Sequence, residues 1–369
     1  MEIRIYRYRN GLLRREGLTR LATGHYVASR YEPGKFELTI PAGAPFALGI
    51  EADDILLFDR AHWGVVTGRL IEHGAENTTT IAGAELTEWL TRRTIVPDSS
   101  VAENQPMGYD SIAGSTEEVI KHYVEKHAVN PANQNRKIPL LTIAGDQNRG
   151  IQDDAYMARY VNLMDTIGII GKRGGLGVKI TGNETGSFVF DVADKVDKTI
   201  SQSVRKPLIL EVSKRTLESS SFSEEFGQSN NVFYCSRAGD EYEWETLTQT
   251  YFMDEGEPCG FDRRETSLSI SVYDEGNQYQ QLEINARKEM EKYRPARSIT
   301  CAMSRRLLYG KDYSIGDVAT VIDREAGMTA DMEITAVDTI VSAETTTYTA
   351  TFGEPVISVF QKIERGIKK

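Results

Sequence analysis

The chain has 369 residues and a formal net charge of −11, enough length for two or three domains around a sizeable core. That acidity argues against a groove built to hold DNA or an acidic membrane. Cys235, Cys259 and Cys301 fit neither CxxC metal spacing nor a dense disulfide framework, which points to synthesis in a reducing compartment. The N-terminus, MEIRIYRYRNGLLRREG, alternates apolar and charged residues and reads as a strand, not a signal peptide. No run approaches the length of a membrane span. The expectation is a soluble protein made in the cytoplasm, with no stable membrane insertion.

The first hundred residues read as a small antiparallel β-domain. In KFELTIPAG, Phe36, Leu38 and Ile40 share one face and Glu37 and Thr39 the other, the period of a half-buried strand. DDILLFDRA and WGVVTGRLIEHG follow as strands punctuated by Gly64, Gly68 and Gly74. NTTTIAG leads into AELTEWLTRRTI, where Leu86, Trp89 and Leu90 share a helical face that would close one mouth of a barrel. Past Pro97 the polar stretch SSVAENQPMGYDSIAG marks a boundary near residue 100. STEEVIKHYVEKHAV then predicts a helix, with Ser115 and Glu118 as capping box and an apolar stripe of Val119, Ile120, Tyr123 and Val124. A second helix is expected over DDAYMARYVNLMDTIG, followed by strands GLGVKITG and GSFVFDVA. From Ser201 the chain turns β-rich again, interrupted by the helical stretch NQYQQLEINARKEMEKYRPA, which ends before Pro295.

One internal echo stands out. Near the N-terminus the order is strand, Asp59-Arg60, strand, Glu76-Asn77-Thr78-Thr79-Thr80, and a strand ending at Gly83. Near the C-terminus it is strand, Asp323-Arg324, strand, Glu344-Thr345-Thr346-Thr347, and a strand ending at Gly353. Read at face value, one chain carries two copies of a similar small barrel separated by an α/β insert.

Motifs for chemistry are weak. GKRGGLG, Gly171 to Gly177, follows a helix and precedes a strand, the reverse of a phosphate loop, and reads as a helix C-cap and turn. DQNRGIQDD offers Asp146, Asn148 and Gly150, but the twelfth position of a calcium loop is Met157, so it reads as a solvated loop capping the next helix. Of His25, His62, His73, His122 and His127, the last two are five apart, which places them on different faces of an α-helix. No GxSxG elbow occurs, and the acid pairs Asp153-Asp154 and Glu224-Glu225 read as solvated surface. The sequence therefore offers no catalytic residues, no cofactor-binding residues, no metal ligands and no cofactor.

A resemblance enters at DDILLFDRAHWGVVTGRLIEHGAENTTTIAGAELTEWLTRRTIVPD. Its Trp63-Gly64-Val65-Val66-Thr67-Gly68 strand, the Ile81-Ala82-Gly83-Ala84-Glu85-Leu86 entry to a helix and the exit Arg92-Arg93-Thr94-Ile95 resemble the hub domain of siphophage tail-tip proteins of the tail-associated, Tal type. The C-terminal YGKDYSIGDVATVID…YTATFG resembles the second hallmark of such hubs, so the two matches bracket nearly the whole chain. The resemblance extends to baseplate hubs of contractile tails and type VI spike hubs. It implies a mainly β fold with an α/β insert. Two small tube-type β-barrel domains are expected, at residues 1–100 and 206–369, the second with a helix-containing insertion around 255–298, and a peripheral α/β domain at 101–205.

It further implies a structural, non-enzymatic protein of the virion tail tip. Three copies would form a pseudo-sixfold ring joining tube to tip, through which genomic DNA passes without specific binding. The implied partners are itself as a homotrimer, a distal tail protein, a tape measure protein and receptor-binding or tip proteins. Larger members carry a C-terminal receptor-binding or digesting extension; the chain stopping at FQKIERGIKK suggests that a separate partner recognises the host. The alternatives are a tail-associated cell-wall hydrolase, expected to show a cleft with a carboxylate of raised pKa, and the hub of a contractile injection particle or tailocin. Gly316-Asp317 is then a turn that launches a barrel strand. Acids on strand faces, such as Glu37 and Glu333, are candidates for a lumen that repels DNA.

Overall fold

In the computed structural model the described residues are 2–41, 43–58, 62–73, 77–97, 108–184, 186–225, 229–238, 247–272, 278–290, 293, 296–325, 327–342 and 344–353. The fold is mainly β. Two compact units form, one built from residues 1–220 and 300–353, the other from residues 221–299.

A long sheet organises the first unit. β1 (Glu2–Arg9), β2 (Leu12–Arg20), β3 (Thr23–Ser29), β4 (Lys35–Pro41), β5 (Ile55–Phe58), β6 (His62–Glu72) and β7 (Thr78–Glu85) pair antiparallel in the order β3-β4-β7-β6-β5-β1-β2. β1 turns into β2 through Asn10 and Gly11, at φ 53° and 83°, the backbone that an Asn-Gly hairpin turn requires. The strands alternate as read: Phe36, Leu38 and Ile40 are buried, Glu37 is exposed. Ile55-Leu56-Leu57-Phe58 is apolar throughout because both faces of β5 are covered. Leu56 and Phe58 join a core with Ile3, Ile5, Leu38 and Val66, while Ile55 and Leu57 join a second core shared with the α/β layer.

That layer holds α1 (Glu88–Thr91), β8 (Asp110–Ser115), α2 (Thr116–Val124), β9 (Leu141–Ile143), β10 (Gln152–Ala158), α3 (Leu163–Gly174), β11 (Gly177–Gly182) and β12 (Phe188–Ala193). α2 begins as the capping box predicts, with Ser115 Oγ accepting from the Glu118 amide at 3.2 Å. It bears the stripe of Val119, Ile120, Tyr123 and Val124, all fully buried. The short helix expected within AELTEWLTRRTI forms as a single turn, because Ile95 leaves it to exchange backbone hydrogen bonds with Val161 and Tyr160, at 2.9 and 2.7 Å. One helix expectation needs correction. The one over DDAYMARYVNLMDTIG divides into β10, paired with β8, and α3, because Asn162 caps the helix by accepting from the amides of Met164 and Asp165. Only the second half of that stretch is helical.

Beyond β13 (Val196–Asp197) and β14 (Ile209–Leu210), β15 (Leu217–Glu225) carries the chain into the second unit. There β16 (Val232–Arg237), β17 (Thr248–Phe252) and β18 (Glu265–Ile270) form a sheet in the order β17-β16-β18. α4 (Gln278–Met290) packs Leu282, Ala286 and Met290 against Phe233, Cys235 and Ile270. β19 (Ala296–Met303) leads back to β20 (Asp317–Asp323), β21 (Met328–Val341) and β22 (Thr346–Gly353).

β21 pairs with β3, so the long sheet continues through β21, β22 and β19 to β15. β5-β6-β7 and β20-β21-β22 are thus two antiparallel meanders in one sheet system. Each carries a bulge at a threonine of its middle strand: Thr67 is skipped between the pairs Val66–Gly83 and Gly68–Ala82, and Thr335 between Ile334–Phe352 and Ala336–Thr351. Of the residues that suggested an echo, Asp59, Arg60 and Glu76 lie outside the described residues, as does the domain boundary near residue 100.

Candidate functional site

A dense polar convergence in the first unit is built around Arg30, a buried cation just past the end of β3. Its backbone is already committed on both sides, donating to Thr335 O and accepting from the Val178 amide, each at 3.0 Å. The guanidinium then donates to Gly175 O at 3.0 Å and Ala193 O at 2.9 Å, and forms an ion pair with Glu333. Glu333 is shared: Lys195 lies 2.7 Å from its second oxygen and the Tyr31 hydroxyl donates to it at 2.8 Å. Burial, helped by that carboxylate, pushes the Tyr31 hydroxyl up to about 12. One residue therefore ties β3 to β21, to the end of α3 and to β11 and β12.

Gly316 belongs to this node. It lies at φ 88°, and a Cβ there would sit 2.2 Å from an Arg30 guanidinium nitrogen. Asp317, buried, accepts from the Ser314 amide at 2.7 Å and pairs with Lys198 at the same distance. The Gly-Asp pair is a turn, as the sequence suggested, but its glycine is also required by the cation beside it. Glu333, read from sequence as a lumen candidate, is instead neutralised inside the node.

Two further clusters lie in the α/β layer. After Val124 the helix widens into a π turn, Glu125–Val129. In that wider turn a five-residue spacing returns to the same face, so the expectation that His122 and His127 diverge is corrected. Both Nε2 atoms meet the buried Asp110 carboxylate at 2.8 Å, one on each oxygen. Burial opposes ionisation of Asp110, yet the two histidine hydrogen bonds win and hold it well below the usual carboxylate range. Nearby, buried Glu117 binds Lys121 at 2.5 Å and Arg149 at 2.7 Å. Burial would raise it, but these donors bring it down to about 2. Arg149 belongs to the DQNRG loop, whose Asp146 accepts from the Asn148 amide at 2.6 Å. The loop docks on the start of α2 and leads into a strand, not a helix.

The remaining candidates fall into structural roles. GKRGGLG ends α3, with Gly175 at φ 74° and the Leu176 amide bonded to Gly171 O at 2.8 Å. His25 pairs with Asp338 at 2.8 Å, and His62 packs against Tyr26 and Phe58. Burial pushes the thiols of Cys235 and Cys301 up to about 11 and about 12, the opposite of an activated nucleophile. Among the described residues no group of three His, Cys, Asp or Glu is arranged to hold a metal ion. The side chains of Asp153, Asp154, Glu224 and Glu225 lie outside the described residues. No helix of the described residues is long and apolar enough to cross a membrane.

One cavity was not foreseen. It measures about 420 Å³ and is lined by Arg30, His62, Trp63, Glu85, Lys179 and Tyr309 among others. Glu85, the last residue of β7, turns its carboxylate under the Gly34 amide, 3.0 Å away. Burial pushes it up to about 7 against that bond and one from the Ser29 amide. A cleft holding a carboxylate of raised pKa is what the hydrolase alternative requires. Among the described residues no second carboxylate lines it, and glycoside hydrolysis needs a pair. The sequence signal was present in Glu85 ending a strand of apolar and small residues, but only pairing against the β3–β4 turn shows where its carboxylate goes.

No curated protein sequence matches the chain. Three solved structures share its fold along almost the whole length. A tail protein from Neisseria meningitidis MC58 aligns at TM-score 0.57 and 14% identity, covering 95% of this chain and 96% of that one. The 43 kDa tail protein of prophage MuSo2 from Shewanella oneidensis aligns at 0.55 and 13%, covering 96% and 99%. Prophage tail protein gp18 from Listeria monocytogenes EGD-e aligns at 0.50 and 15%, covering 100% and 99%. The fold is therefore that of phage tail proteins. The family model described as Siphovirus ReqiPepy6 Gp37-like protein matches residues 2–354, and the chain belongs to that family.

Proposed function

We propose that this chain is a structural hub of a phage tail, three copies of which form a pseudo-sixfold ring between tube and tip. The observation that carries this reading is the pair of meanders with matching bulges, Thr67 and Thr335, in one chain. Two similar strand sets per chain supply six around a threefold axis, and rings of this kind close through head-to-tail contacts. In this reading the neighbours are a distal tail protein, a tape measure protein and receptor-binding or tip proteins, and genomic DNA passes through without specific binding. Three chains carry a formal −33, three times −11. Lumenal acids would keep a polyanion sliding, and Glu37, exposed on β4, remains a candidate. Imaging the tail tip tests the ring: three copies at this level are expected, and six or one would end the idea.

The Glu85 cavity favours a second reading, a cell-wall hydrolase. Incubation with purified peptidoglycan separates the two. The hub reading expects no soluble fragments; fragments that disappear in Glu85→Gln would establish the hydrolase.

A further inference from the structure

A second cavity, of about 240 Å³, opens beside the β1–β2 hairpin and is walled by Leu13, Ile55, Trp89, Leu140 and Phe188. It is smaller than the ~300–1,000 Å³ usual for small-molecule pockets and of a size for one bulky side chain. Its surroundings are cationic. Arg92 and Arg93 line it, and burial, with Arg136 and Arg92 beside it, disfavours the charge on Arg93. Arg93 and Arg136 donate to backbone carbonyls, and the Arg92–Asp53 pair is the cluster's ion pair among the described residues. The adjoining hairpin adds Arg14, Arg15 and Arg20, while its Arg4, Arg7 and Arg9 are paired with Glu2, Glu184, Asp54 and Glu51. Tyr8 and Leu12 stand exposed on the same hairpin.

The complementary shape is in the second unit. The loop DEGEPCGFD, from Asp254 to Asp262, carries Phe261, which is fully exposed, among Asp254, Glu255, Glu257 and Asp262. The loop is held: Asn231 donates to Asp262 O at 2.7 Å, the Asp262 amide donates to Cys259 O at 3.2 Å, and Arg263 pairs with Glu257 at 2.8 Å. An aromatic knob fixed on an acidic turn matches an aromatic-walled, arginine-rimmed hole, the residue types that dominate interface energetics.

We propose that Phe261 of one copy fills the cavity between Leu13, Trp89 and Phe188 of a second copy, with Glu255 and Asp262 facing Arg92, Arg93 and Arg136. Knob and hole are different patches, so the contact is head-to-tail and adds copies in one rotational sense, where a self-complementary patch would stop at two. The inference takes its copy number from the ring reading; its chemistry does not depend on it.

Cys259, two residues from the knob, is exposed, whereas Cys235 and Cys301 are buried, so a short maleimide photo-crosslinker can be attached selectively. The labelled full-length chain is irradiated at about 1 mM, where even a contact of millimolar Kd is populated. Covalent oligomers are expected, with cross-linked peptides containing Leu13, Trp89 or Leu140. Phe261→Ala, at a fully exposed position that cannot unfold the chain, should cut their yield at least about tenfold. Adducts mapping elsewhere or within one chain, absence of oligomers, or a yield unchanged in Phe261→Ala would overturn the contact. Copy number at the tail tip is counted separately. Three copies without this cross-link sink the contact alone, and one copy with the cross-link in solution sinks the ring alone.

Discussion

The two meanders share topology, antiparallel register and a threonine bulge, yet they are packed differently. In β5 all four residues are buried, Leu56 and Phe58 on one core and Ile55 and Leu57 on another. In β20, the corresponding first strand, Ala319, Thr320 and Val321 are buried but Val318 and Ile322 only partly so, and in β22 burial alternates: Ala350 and Phe352 are buried, with Thr349 and Thr351 only partly so. The same strand arrangement therefore does two jobs. The first meander is a partition between two cores. The second is half-buried, and Arg30 with Glu333 fastens it to the end of β3 and to the α/β layer. The comparison teaches that two strand sets can share a backbone arrangement while one relies on apolar burial and the other on a buried ion pair.

The sharpest way to break the comparison is to remove that fastening. Arg30→Met leaves Glu333 buried with only Lys195 and Tyr31, and should destabilise the first unit by about 3–5 kcal/mol. Urea unfolding measures it; a loss under about 1 kcal/mol would mean that the node holds little. Next in size, the partition predicts that neighbouring residues are equally costly. Leu56→Ala and Leu57→Ala should each cost about 2–5 kcal/mol. In β22 the cost should alternate: Phe352→Ala about 3–5 kcal/mol and Thr351→Ala under about 1 kcal/mol. Equal costs for Phe352 and Thr351 would erase the distinction.

A pH experiment sharpens the contact between β7 and the β3–β4 turn. Glu85 titrates at about 7 in the fold and near 4.5 when unfolded. The fold thus holds its proton more tightly, and stability is fullest below about 4.5 and falls as pH rises through 7. Glu85→Gln keeps an acceptor for the Gly34 amide without the charge. Relative to wild type it should gain up to about 2–3 kcal/mol between pH 4 and 8, read from thermal unfolding at each pH. A difference that stays flat with pH would show the carboxyl to be solvated. The smallest effects separate two glycines of one stretch. Gly310 lies at φ 79° with open space around it, whereas Gly316 lies at φ 88° against Arg30. Gly310→Ala should cost about 1 kcal/mol for backbone alone. Gly316→Ala should cost up to about 3 kcal/mol, because strain and clash add. In the Arg30→Met background the extra cost at Gly316 should shrink, and a double-mutant cycle reads it.

Much of the architecture was legible because it is written in local chemistry. Strand alternation at Phe36-Leu38-Ile40, the Ser115 cap, the end of α3 at Gly175 and the helix α4 depend on residues within one turn or one strand of each other. Errors arose where a distant partner decided. DDAYMARYVN has helical spacing, but β8 was available to pair with it. His122 and His127 were read with a period of 3.6 because a π turn leaves no compositional trace. The Arg30 node could not be assembled at all, since its parts lie at positions 30, 175, 193, 195, 316 and 333 and include two backbone carbonyls.

By itself, then, the sequence determined the mainly β character, the echo between the two strand sets and the turn chemistry of Gly316-Asp317, all consequences of side-chain periodicity and backbone freedom. Only the tertiary structure decided which charges are neutralised, which carboxyl is pushed up and which aromatic is left bare. Those depend on dielectric environment and on partners far away in the chain, because an ionisable group's behaviour is set by what surrounds it in space, not by its neighbours in sequence.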